Sequence, residues 1–190
     1  MTIWEQVQSS RSILFLNLIA LASALIWGLD VRFFLLFYWL ESGVAGIFNV
    51  LKMVSVKDPE SAGSTKLFLV PFFMVHYGIF MTVPLVFLLV FIGEFSVGMS
   101  AISYVVDNFW VFAFNLILLV SDYIIGFLGW RNSMEDSSVA GLMFRPYGRI
   151  VAMHLTLIFG AFLFYTLNSG RVFLVLLMIL KTFADIRITK

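Results

Sequence analysis

Apolar residues in this chain come in long unbroken runs, each closed by a short cluster of polar residues, glycine or proline. A run of about 18 or more apolar positions is long enough for a helix to cross the hydrocarbon layer, at about 1.5 Å of rise per residue. The pattern predicts helices at about 12–29, 31–53, 66–92, 104–128 and 146–167, and a sixth at 172–188, whose apolar run (172–180) is short and which the distribution of basic residues supports. No segment alternates apolar and polar residues over about ten positions, as the strands of a membrane barrel would. The expected fold is therefore all-α, a polytopic membrane bundle of six transmembrane helices forming a single domain over residues 1–190.

The interruptions carry their own signals. Asp30 marks a tight turn, while Lys57-Asp-Pro-Glu60 and Ser61-Ala-Gly-Ser-Thr65 mark a loop. The third helix has Pro71 near its start and Pro84 inside, where a kink and a freed carbonyl are expected. Residues 93–103 form a loop without basic residues, and 129–145 is the longest polar connection. Within the latter, Val139-Ala-Gly-Leu-Met-Phe144 is expected to lie on the membrane surface. Pro146 suits a first helical turn, and Asn168-Ser-Gly170 reads as a turn before the sixth helix. In the first helix, Ala20, Ala24 and Gly28 make a small-residue stripe suited to close helix contact. Ala22-Ser-Ala24 also resembles a signal-peptidase site, but the apolar run continues through Leu25-Ile-Trp27, so an uncleaved helix is expected.

Composition agrees with the pattern. Hydrophobic residues make up 62% and charged residues 12%, with mean hydropathy +1.03; a soluble domain carries about 25% charge. A net charge of +1 without a basic, aromatic-interleaved face excludes nucleic acid as a partner. There is no cysteine, hence no disulfide, thiolate ligand or cysteine nucleophile. Gly-rich phosphate loops and the Gly-x-Ser-x-Gly elbow are absent. Charge instead sets the orientation. With the N-terminus cytoplasmic, ten of the twelve basic residues fall on the inner side, leaving Arg32 and Arg171 outside, so both termini are expected in the cytoplasm.

That orientation turns scattered polar residues into a layer. Glu41 and Lys181 fall near mid-membrane, with Asn49, His76, Asp122, His154 and Asp185 in the cytoplasmic half. Lys52, Arg145, Tyr147 and Arg149 lie at its edge. Intramembrane ionisable groups face the bundle interior and pair there, because each costs several kcal/mol in lipid. On one helical face Glu41 is followed by Ala45, Asn49 and Lys52, with Ser42 and Gly46 beside it, so neighbouring helices can approach closely. The expectation is a polar pocket open to the cytoplasm, its ligand-binding candidates Glu41, Asn49, Lys52, His76, Tyr77, Arg145, Tyr147, Arg149, His154, Lys181 and Asp185.

Each member also has a plainer role. Glu41 can pair with Lys181, and Lys181 with Asp185 four residues on. Asp122 is either a relay carboxylate or a partner for Arg149. Lys52, Lys66, Arg187 and Lys190 are expected to snorkel to the headgroups. Arg145 and Arg149 bracket a helix N-terminus, suited to a phosphate or carboxylate or to a lipid headgroup. Imidazole with carboxylate suits zinc, iron or manganese, which makes Glu41, His76, His154 and Asp185 candidates for metal ligands or for catalytic acid and base groups. No HExxH spacing supports a metal, so such ligands would come from separate helices.

Phe48-Asn-Val-Leu-Lys-Met53, His76-Tyr-Gly78, Arg145-Pro-Tyr-Gly-Arg-Ile150 with His154-Leu155, and Leu180-Lys181 with Asp185 resemble a prokaryotic family of small integral membrane proteins, domain of unknown function 6498. The resemblance runs from the second helix to the sixth and implies a multi-pass protein of a prokaryotic cytoplasmic membrane, with no reaction assigned. Three functions stay open. The first is binding or transport of a small polar or anionic ligand, with Pro84 as a gating bend. The others are a metal-dependent intramembrane enzyme acting on a lipid-like substrate, and a structural or assembly subunit. The expected partner is the lipid bilayer, with a homo-oligomer as an open alternative.

Overall fold

The structure is a computed structural model and describes residues 15, 17–23, 26–28, 31–56, 63–95, 101–133, 138–167 and 179. Its elements, numbered here in chain order, are all helical: α1 (Val31–Ser55), α2 (Gly63–Phe95), α3 (Ala101–Asp107), α4 (Phe109–Ser133), α5 (Val139–Phe144) and α6 (Tyr147–Leu167). Helical residues 17–23 precede them, and Gly28, at φ 66°, takes the left-handed conformation that commonly closes a helix. Three helical stretches are long and apolar enough to cross a membrane, 33–55, 65–89 and 109–133. The expected sixth helix, at 172–188, lies outside the described residues apart from the single helical residue 179.

Burial ranks the helices. Half of the spanning stretch of α1 is buried, against 28% for α2 and 22% for α4, so α1 is the central helix. Its first turns, Phe33 to Tyr38, are buried all round, the mark of a helix surrounded by others. The outer faces of α2 (Leu67, Val75, Ile79, Val83) and α4 (Trp110, Phe114, Ile117, Ile125) are exposed and apolar. A water-facing helix would put charge there.

Paired contacts fix the helix directions. Trp39 and Gly43 of α1 meet Met81 of α2, Gly46 meets Tyr77, and the end of α1 meets Lys66; α1 and α2 are therefore antiparallel. Phe33 packs on Phe112, Phe48 on Tyr123 and Phe127, and Lys52 on Trp130, so α4 runs parallel to α1. Tyr147 packs on Phe73 and His76, and His154 on Phe80, so α6 runs parallel to α2. One end of the bundle thus gathers Lys52, Lys66, Arg131, Arg145 and Arg149, while Arg32 stands at the other.

Several boundaries differ from the expected ones for local reasons. The helix expected at 104–128 is split at Asn108, whose amide donates to the Tyr104 carbonyl at 2.9 Å. Its own carbonyl accepts the amides of Val111 and Phe112, which start α4 anew. The segment expected on the membrane surface, 139–144, is α5; Ser138 caps it, and Val139, Leu142 and Met143 are buried against α1 and α2. Lys66 donates to the carbonyls of Val54 and Val56, the latter at 3.2 Å. It satisfies orphan carbonyls at the α1 C-terminus, where a cation is favoured. Pro84 stays inside one continuous α2. Near it, the Met81 carbonyl accepts Trp39 Nε1–H at 2.8 Å.

Candidate functional site

The polar centre grows from one face of α1. A Cβ on Gly46 would collide with the Tyr77 ring. Its absence lets that ring lie across α1 and the phenol donate to the Ser42 carbonyl at 2.7 Å. Ser42 in turn donates to the Tyr38 carbonyl at 2.9 Å. The close approach expected at Ser42 and Gly46 is thus filled by a tyrosine, which leaves Glu41 facing the other way.

Glu41, buried to 8% exposure, forms an ion pair with Arg149 of α6, whose side chain is only 15% exposed. Arg149 also donates to the Tyr123 hydroxyl on α4 at 2.7 Å and lies 5.9 Å from the centre of the Tyr38 ring. Three helices therefore converge on one charge pair. Such a pair is held by charge-assisted hydrogen bonds, and removing one partner leaves an uncompensated charge. Arg149 points inward because the Pro146 carbonyl accepts its amide and that of Ile150, setting the first turn of α6. Arg145, before the proline, stays exposed. The two arginines thus do not form one anion clamp.

Beside Glu41 lies a small cavity of about 10 Å³, bordered by Asn17, Phe37, Asn115, Leu118 and Leu119. That is room for one water-sized group. Asn115 Nδ2 donates one hydrogen to the Val111 carbonyl at 2.9 Å, which leaves its second N–H and its amide oxygen.

A second polar group sits nearer the basic end. His76 Nδ1 lies 2.6 Å from the Tyr147 hydroxyl, with Phe72, Phe80 and Phe73 packed around the pair. His154 does not join it; its Nδ1 lies 2.8 Å from the Ile150 carbonyl, where it can donate, one turn back on its own helix. Asn49 contacts Met53 Sδ at 3.6 Å, and Lys52 lies 5.7 Å from the centre of the Trp130 ring. Lys181 and Asp185 lie outside the described residues, so neither the Glu41–Lys181 nor the Lys181–Asp185 pairing is seen. Among the described residues, no three His, Asp or Glu side chains gather closely enough to hold a metal ion.

Of the candidates, then, Glu41 meets Arg149 and His76 meets Tyr147, while His154, Asn49 and Lys52 turn to other neighbours. Tyr123, Tyr38 and Asn115 were not anticipated as members. Their signal was faint: a tyrosine one turn before Glu41 on its own face, and polar tips on an otherwise apolar α4.

No curated protein and no solved structure matches the chain. A family model described as "Family of unknown function (DUF6498)" matches residues 5–190, the entire polar centre included, and the chain is a member of that family.

Proposed function

We propose that this membrane protein binds a small anionic solute at Arg149, with Glu41 occupying the anion's position when none is bound. The observation that carries this reading is a guanidinium drawn into the bundle and closed off by an internal carboxylate. Arginine presents a planar fork that fits a carboxylate or an oxyanion equally well. A ligand bearing either group can therefore replace Glu41 without a new recognition element. The cationic end of the bundle, with Lys52, Lys66, Arg131 and Arg145, attracts such a solute.

The same basic end is the cytoplasmic one by the positive-inside rule. The alternating directions of α1, α2, α4 and α6 fit six spans with both termini inside, in the cytoplasmic membrane of a prokaryote. In that frame the site opens inward, and transport requires a second state open to the outside.

The experiment is a thermal-shift titration of detergent-solubilised protein with acetate and with sulfate. Saturable stabilisation by either, lost in Arg149→Gln, is expected. Flat curves for both anions, identical in wild type and variant, would remove the reading. A second reading is favoured by the cavity of only about 10 Å³: Glu41–Arg149 fixes helix register in a structural or assembly subunit. It predicts that the double variant Glu41→Gln/Arg149→Gln keeps stability and loses no binding. The metal-enzyme reading gains no support among the described residues.

A further inference from the structure

The second polar group, His76 with Tyr147, stands apart from the charge pair and has no part in anion binding. It is arranged around Phe80 of α2. The rings of His76, Tyr147 and His154 lie 5.0, 6.4 and 6.2 Å from that of Phe80, centre to centre. Further along α2, Phe68 stacks on Phe72 and Phe72 on His76, the latter pair only 14° from parallel. These residues follow one another at four-residue spacing, so Phe68, Phe72, His76 and Phe80 form one ladder of rings on a single helix face.

The ladder is open at the surface of the bundle. Phe68, Phe72 and Phe80 are exposed, as is Leu155 beside His154, while His76, Tyr147 and His154 are half-buried. Each histidine spends Nδ1 inside the protein, on the Tyr147 hydroxyl and on the Ile150 carbonyl. Neither Nε2 has a partner among the described residues and neither is enclosed, so both reach the bundle surface. Hydrocarbon offers no water to such a nitrogen, which leaves a membrane-soluble molecule to satisfy it.

The hydrogen-bond roles select that molecule. His154 Nδ1 faces a carbonyl, so it carries the ring hydrogen, and Nε2 of the neutral imidazole is an acceptor. The ligand must therefore bring an O–H or N–H. His76 is adaptable: the Tyr147 hydroxyl can donate to Nδ1 or accept from it, and Nε2 takes the complementary role. The rings select a flat, unsaturated head over an alkyl chain, since aromatic pairs gain beyond the area they bury. Both imidazoles border the same Phe80 ring, which bounds the gap between them. A six-membered ring with an oxygen at each end, and a hydrogen bond of about 2.9 Å at either side, can bridge it.

We propose that the face of α2 and α6 around Phe80 binds a membrane-soluble quinol. Its ring lies on the aromatic ladder, one hydroxyl donates to His154 Nε2, and the opposite hydroxyl meets His76 Nε2. This is a binding site, without electron transfer, and it is independent of the site at Arg149. An oxidised quinone has only carbonyl oxygens to set against His154, acceptor against acceptor, so the reduced form is preferred.

Calorimetric titration of the whole protein in micelles, without oxygen, tests the site with four probes of equal tail length: decyl-benzoquinol, decyl-benzoquinone, decylbenzene and decanol. Protein-free micelles give the partitioning to subtract. Saturable binding of the quinol is expected, with the quinone about tenfold weaker, the size of one hydrogen bond left unmade. Decylbenzene, which lacks hydroxyls, and decanol, which lacks the ring, should be weaker than the quinol by at least as much. His154→Phe keeps a ring in place and should erase the preference for quinol over quinone. Phe80→Leu should weaken both. Absence of saturable quinol binding overturns the site. Equal affinity for quinol and quinone in wild type, or an undiminished preference in His154→Phe, overturns the role given to His154 and with it the choice of ligand. Decylbenzene or decanol binding as tightly as the quinol overturns that choice too. If Phe80→Leu instead dissociates a dimer, the face belongs to a second copy of the chain and the proposal falls.

Discussion

The two flanks of α1 hold their neighbours by different physics. Toward α2 everything is neutral or at the margin: Gly46 under the Tyr77 ring, Tyr77 on the Ser42 carbonyl, Trp39 on the Met81 carbonyl, Lys66 over the last carbonyls. Toward α4 and α6 the contact is a charge pair with a tyrosine attached. The neutral flank can be understood as packing alone, since small residues and interhelical hydrogen bonds are what join helices in lipid. The charged flank cannot, because apolar residues of similar volume would commonly serve stability as well or better. Where a bundle keeps an expensive contact that packing does not need, function is the first place to look.

The largest expected effect comes from breaking the charged flank on one side only. Arg149→Ala should cost about 3–5 kcal/mol in an SDS-unfolding titration, by stranding Glu41. Removing both charges in Glu41→Gln/Arg149→Gln should recover most of that loss. If single and double variants are equally damaged, the pair is not the unit described. Next, Gly46→Leu forces a side chain into the Tyr77 ring and should cost about 1–3 kcal/mol in the same assay. A neutral result there would mean that α1 and α2 have room to part.

Smaller changes sharpen the contrast. Tyr77→Phe keeps the ring and deletes one interhelical hydrogen bond, so about 0.6 kcal/mol is expected, within the range of such bonds in membranes. Arg145→Ala should stay within about 0.5 kcal/mol of wild type, as an exposed residue away from the pair. An effect on stability as large as that of Arg149→Ala would show that the two arginines act together after all.

Local rules found α1, α2 and α6 and missed the meeting points. The apolar runs located α1, α2 and α6 to within a few residues, because their length and composition are written consecutively. The break at Asn108 escaped because it depends on one side chain bonding back to Tyr104. Glu41 stood out as a carboxylate in an apolar helix, and its burial follows from that alone. Its partner did not, since no periodicity links α1 with α6. Arg149, counted from its helix end, fell at the membrane edge, yet a long side chain with an apolar stem reaches well beyond its own backbone level. Lys66 was assigned to the headgroups by the same counting, whereas the carbonyls ending α1 offered a nearer partner.

The distance along the chain between Glu41 and Arg149 has a consequence for biogenesis. A ribosome delivers the first of them to the bilayer well before the second is translated, since domains emerge from the N-terminal side. Through that interval α1 lacks the cation that α6 brings, and a carboxylate in an apolar helix is costly until it is paired. The charged flank is therefore completed late, once α6 has been made.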